Sequence, residues 1–211
     1  MSKLIPASLG AVGAGGAGIG GYMLLNPSEN QKTEKVITFK EKYKGALLDL
    51  EGDKDSAIWE SKFTLLKSGS PHHPSLKGIT TKEDTEAKSL HKQGCRDLYN
   101  SPADNNHYLE DFKNYCAKLI GDVVSGSWIE GEQTQTGTKW DGKLKDIKSK
   151  KDNLISSVLK ELAGKLTSSG ETFTENERKL LEGWCHARKK DLSQGEENSL
   201  LEEIKSYCIS S

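Results

Sequence analysis

Apolar side chains are scarce in this chain. They make up 34% of its 211 residues, aromatics only 7%, and the mean hydropathy is −0.66. A unit of about 90 residues built from such material buries a smaller share of its surface than a large domain and gains from covalent staples. Clustered charge of one sign is also missing. Val36 to Ile120 holds 13 basic and 13 acidic side chains, and 121–211 holds 14 and 16. Nucleic-acid binding shows as a concentrated basic face. The densest basic runs, Lys148 to Lys151 and Arg188-Lys189-Lys190, sit among acids at helical spacing and read as solvated helix faces. Sustained alternation of apolar and polar residues is absent too, apart from a possible short strand at Val36 to Phe39, which leaves a mainly α-helical chain.

Ligand and nucleophile patterns are equally thin. Gly13 to Gly18 formally matches a dinucleotide-binding glycine pattern but lacks the strand, the helix and the ribose-binding acid that the motif requires. His91 with Cys95, Cys185 with His186, and His72 with His73 fall short of the closely spaced ligand pairs of a zinc site. Adjacent acids at Glu110-Asp111 and Glu202-Glu203 recur as helix faces rather than as acid/base machinery. The expectation is therefore no catalytic residues, no metal and no cofactor.

What is present is repetition. Leu109-Glu110-Asp111-Phe112-Lys113-Asn114-Tyr115-Cys116 returns 92 residues later as Leu201-Glu202-Glu203-Ile204-Lys205-Ser206-Tyr207-Cys208. A second cysteine precedes each copy, Cys95 before Cys116 and Cys185 before Cys208. A Trp-acid-x-Lys signature opens each half at Trp59-Glu60-Ser61-Lys62 and Trp140-Asp141-Gly142-Lys143. These features divide the chain into an N-terminal segment 1–28, a helical module 29–120 and a second module 121–211, with the boundary expected at Gly121 to Gly126. Duplicated units should keep local bonds, which pairs Cys95 with Cys116 and Cys185 with Cys208. Closing a loop of just over 20 residues adds roughly 3 kcal/mol by restricting the unfolded chain. The alternative is two pairs of buried, reduced thiols. Trp59 and Trp140 each open an apolar series, Trp59-Phe63-Leu66 and Trp140-Leu144-Ile147, and are the expected core anchors of their modules.

Helix starts are expected near Thr81, at Asp104 to Asn106, and at Thr174 with Glu177 three residues on, a capping-box pattern. Loops are expected at Ser68 to Pro74 and at Ser125 to Ser127 followed by Glu130 to Thr138. The last two helices of each module should form a hairpin.

The N-terminal 25 residues from Leu4 to Ser28 carry no charge, a stretch long enough to span a bilayer. Gly16-x-x-x-Gly20 and Gly13-x-x-x-Ala17-x-x-x-Gly21 line small residues along one face, which permits close helix pairing and self-association. An uncleaved signal anchor, a cleaved signal peptide and a flexible tail all remain open. A lipoprotein signal does not, because no cysteine follows the apolar run. Flanking lysines leave the orientation undecided. Two spaced cysteine pairs suit an oxidising exterior.

The Lys3-Leu4 start, the Gly/Ala-rich leader ending in Tyr22-Met23-Leu24-Leu25, the Trp59 signature and two cysteine modules ending in Tyr115-Cys116 and Tyr207-Cys208 resemble a large paralogous family of uncharacterised proteins of haemotropic mycoplasmas. That resemblance covers the whole chain. It implies a wall-less bacterium living on red cells, with such proteins as varied surface antigens, and it carries no catalytic residues. The expected function is a membrane-anchored, single-pass surface protein with an extracellular C-terminal body. It would act as antigen or adhesin toward a host-cell surface component and would bind no nucleic acid. The alternative is an inward-facing structural or scaffolding protein with reduced cysteines.

Overall fold

Polar side chains cap several of the helix starts among the described residues. Thr38 begins α1 (Phe39–Lys42) with a capping box in which the Glu41 N–H donates to Thr38 Oγ1 and the Thr38 N–H donates to Glu41 Oε2. Thr174 and Glu177 do the same for α9 (Glu175–Lys189), as their spacing predicts. The expected start near Thr81 moves to Asp84, where α4 (Asp84–Tyr99) opens on acids in its first turn rather than on a side-chain cap. Between α1 and α4 lie α2 (Ser56–Ser68) and α3 (Pro74–Lys77). After them come α5 (Asn106–Asp111), capped by Asn105 and continued as a π-helix over Phe112–Cys116, and α6 (Ile120–Val123). The remaining helices are α7 (Lys139–Ser149), α8 (Ser157–Lys165) and, beyond α9, α10 (Leu200–Cys208).

The computed structural model describes residues 35–131, 134–135, 138–166, 173–195 and 199–210. The expected membrane segment 1–28 lies outside the described residues. Among the described residues no helix is long and apolar enough to cross a membrane. Extended pairing among them is confined to isolated antiparallel bridges. Val36 to Phe39, the one stretch with strand character, contributes the bridge from Thr38 to Pro102 and then turns into α1.

Val36–Ser211 forms one compact unit, and its buried apolar side chains fall into two clusters. One runs from Phe39 to Ala117 and contains Trp59, Cys95 and Cys116; the other runs from Ile120 to Cys208 and contains Trp140, Cys185 and Cys208. The same backbone bonds occur in each. Thr38 bridges Pro102 in the first, and Leu119 bridges Leu192 in the second. Phe39 N–H donates to Ser101 O at 3.2 Å, and Ile120 N–H to Asp191 O at 2.8 Å. Leu47 bridges Ala117 just past Cys116, and Trp128 bridges Ile209 just past Cys208. The seam between the clusters lies between Ala117, the last residue of the first, and Ile120, the first of the second. The glycine and serine signal at Gly121 to Gly126 marks a turn inside the second half. Gly126 has φ +112 and is packed against Ile209, so a side chain would not fit.

The two halves differ in their third helix. α3 is one turn of 4 residues, whereas its counterpart α8 has 9. Cys185 follows Trp140 by nine more positions than Cys95 follows Trp59, and the longer helix lies within that interval. Across the seam, Lys62 Nζ of α2 reaches Asp122 Oδ2 of α6 at 3.2 Å, and Leu192 packs on the first cluster.

Candidate functional site

The Trp, acid and Lys of the repeated signature make corresponding bonds in the two halves. The Trp59 indole N–H donates to Asp49 O at 2.9 Å, and that of Trp140 donates to Gly131 O at 2.7 Å. The next residue, the acid, pairs with a cation on the cysteine-bearing helix: Glu60 with Lys88 at 2.7 Å and Asp141 with Arg178 at 2.8 Å. The first pair is exposed and the second buried, Arg178 being 2% exposed, with its guanidinium also donating to Phe173 O. The signature lysines reach the closing helix. Lys62 Nζ donates to Lys113 O at 3.1 Å, and Lys143 Nζ donates to Ser206 O at 2.7 Å. Burial lowers the pKa of both lysines, and Asp122 opposes the effect at Lys62. These bonds run within each half, and Lys62 adds its reach to Asp122 across the seam.

The closing acids have the same kind of task. Asp111 Oδ2 accepts the backbone N–H groups of His72 at 2.7 Å and His73 at 2.6 Å, just ahead of α3. Glu203 accepts those of Ile155 and Ser156, just ahead of α8. These are the unpaired donors that precede a helix, and a buried carboxylate satisfies two at once. His73 then takes the N-cap position of α3, its Nδ1 accepting from the Ser75 N–H at 3.3 Å, where Ser156 Oγ caps α8. Burial holds His73 below the ordinary histidine pKa, against the pull of Asp111 and Asp97, which suits an acceptor nitrogen.

Cys95 is bonded to Cys116 and Cys185 to Cys208, with Cα–Cα separations of 5.3 and 5.5 Å. All four cysteines are fully buried, and no free cysteine remains. Each bond joins the two helices of a closing hairpin, α4 to the π-helical end of α5 and α9 to α10. Trp59 is 7% exposed and Trp140 0%, each in the cluster of its own hairpin. His91 lies beside Cys95 and Cys116, but the sulfurs are engaged in the disulfide and supply no thiolate for metal or nucleophilic chemistry. Its Nε2–H donates to Tyr115 O at 2.8 Å, and its ring meets Trp59 edge-on at 5.0 Å. Burial pushes the His91 pKa down to about 4. Ninety residues later the same helical position is Leu181, also fully buried.

A cleft of 1220 Å³ runs along the seam between the halves, with Lys42, Lys44, Lys113, Arg188, Ile155 and Leu192 among its walls. Arg188 is paired with Asp191 at 3.0 Å, and the described walls mix these charged groups, with Glu41, and apolar side chains such as Ile155 and Leu192.

One gathering of polar groups was not foreseen. His72 of the loop before α3 stands beside His107 and Glu110 of α5, all exposed, with one potential ligand atom from each within 4.8 Å of the others. The His107/Glu110 spacing of three residues on a helix was the available signal. His72 lies 35 residues upstream and reaches them only through the fold. The chain matches no family model, no curated protein and no solved structure.

Proposed function

We propose that this chain is an outward-facing surface protein, anchored by its uncharged N-terminal segment 1–28, whose disulfide-pinned helical body serves as antigen or adhesin. Its supporting observation is the pair of fully buried disulfides, each closing a hairpin within its own core. Bonds of this kind persist where the environment is oxidising, and small cores with few apolar residues draw stability from them. A second support is the recurrence of the same scaffold bonds in both halves, which reads as a duplicated unit. Duplication multiplies a stable frame while leaving exposed positions free to vary. The resemblance to the paralogous surface proteins of haemotropic mycoplasmas points the same way, and binding rather than catalysis is the activity it implies. In this reading Gly16, Gly20 and the aligned small residues offer a face for self-association within the membrane.

Thiol labelling of intact cells, before and after reductant, tests the assignment together with protease shaving. The outward reading requires that Cys95, Cys116, Cys185 and Cys208 stay unlabelled until denatured and reduced, and that external protease removes the body. Full labelling under denaturing conditions without reductant, with the body protected from protease, would establish instead an inward-facing scaffold with reduced cysteines.

A further inference from the structure

We propose that His72, His107 and Glu110 form a surface site for a divalent transition-metal ion, with zinc the natural occupant. His107 and Glu110 lie three residues apart on α5, one turn of the same face. His72 approaches from the loop before α3, its ring stacked on that of His107 with centroids 4.6 Å apart and planes at 28°. One potential ligand atom from each of the three lies within 4.8 Å of the other two. Modest torsional adjustment of exposed side chains brings such a set to the bond lengths of about 2.0–2.2 Å that zinc makes with imidazole and carboxylate.

The group behind His72 supplies the second argument. Asp111 is 2% exposed and accepts the backbone N–H of His72 at 2.7 Å, and its other oxygen lies 3.5 Å from His72 Nδ1. Metal-binding imidazoles characteristically direct their non-ligating nitrogen at a carboxylate, which selects the tautomer and aims the ring. With Nδ1 held by Asp111, Nε2 is the His72 nitrogen left for the ion.

The second half of the chain is an internal control for what the scaffold itself demands. Glu203 accepts two backbone N–H groups there as Asp111 does in the first half, and Glu202 corresponds to Glu110. Where the first half has His72 and His107, however, the second has Ile155 and Ser199. The cap before the helix and the closing hairpin thus form without either histidine. Neither exposed ring is required by the fold. Two nitrogens and one carboxylate oxygen, with a position left for water, suit Zn²⁺, Cu²⁺ or Ni²⁺, whereas Ca²⁺ and Mg²⁺ prefer all-oxygen shells.

Calorimetric titration of the full-length, oxidised chain with Zn²⁺ tests the site, with competition by Ni²⁺, Ca²⁺ and Mg²⁺. One saturable zinc site is expected, displaced by Ni²⁺ and indifferent to Ca²⁺ and Mg²⁺. His107→Ala and His72→Ala should each weaken it by about tenfold or more, since even a group that only orients a ligand is worth that much. The exposed His186→Ala should leave it unchanged. Far-UV circular dichroism checks that each variant keeps its helices. Absence of saturable zinc binding, or an unaltered isotherm in His107→Ala, overturns the proposal.

Discussion

Replacing His91 by leucine should turn a pH-sensitive core into an insensitive one. The ring is 1% exposed, its Nε2–H is committed to Tyr115 O, and burial lowers its pKa from 6.5 to about 4. In the unfolded chain the same imidazole takes up a proton below 6.5. Between those values the unfolded state binds more protons than the folded one, so unfolding becomes easier as pH falls. A depression of this size corresponds to about 3 kcal/mol, fully present above 6.5, lost as pH falls through the window and gone below about 4. At pH 7 the leucine variant loses one buried hydrogen bond, about 1 kcal/mol, and keeps the apolar packing that Leu181 provides in the other half. Near pH 4 the wild-type chain has lost its advantage, and the variant should be the more stable by about 2 kcal/mol. Urea unfolding of both proteins at a series of pH values, disulfides intact, measures the two curves. They should cross between pH 7 and 4. Parallel curves would show that His91 titrates alike in both states and that its burial does not control its charge.

The two equivalent ion pairs should respond very differently. Asp141→Ala removes the buried acid paired with Arg178 and should cost about 3–5 kcal/mol. Glu60→Ala removes only an exposed partner of Lys88 and should cost less than about 1 kcal/mol. Equal costs in chemical denaturation would mean that the buried pair is solvated. Trp59→Ala and Trp140→Ala should each destabilise by roughly 3–5 kcal/mol, and a Trp variant that melts like the wild type while losing attachment to host cells would identify that ring as a ligand contact. Gly45→Ala should cost about 1–3 kcal/mol, because a Cβ there collides with the Gln194 backbone across the seam; unchanged thermal stability would show that the halves are not held together at that point. Removing residues 1–28 should leave a folded, helical protein whose oxidised Cys95–Cys116 and Cys185–Cys208 bonds appear in non-reducing peptide maps, and a truncated chain that fails to fold under oxidising conditions would make the leader part of the body.

Local information in the chain determined the helical class, the apolar stripes that end in Cys116 and Cys208, the Thr174 capping box and the position of each Trp signature. These depend on neighbours three or four residues away, a range that periodicity reports directly. The repeated octapeptide also marked Asp111 and Glu203, but as solvent-facing acids. Tertiary structure makes both buried caps for a segment dozens of residues upstream, because an unpaired N–H ahead of a helix recruits whatever carboxylate the fold brings near. Local partners for Cys95 and Cys185 were an expectation from the duplication, with reduced thiols as the alternative, and only the fold shows the bonds; the neighbours of His91 had no such signal. Its low pKa follows from Trp59, Phe63 and the Tyr115 carbonyl closing around it. Which core each residue near 117–120 enters is likewise a tertiary matter, since glycine and serine mark a turn without saying where the next side chain packs. His72 meets His107 and Glu110 for the same reason: folding brings α5 and the loop before α3 together on Asp111, a convergence over 35 residues that no local pattern encodes.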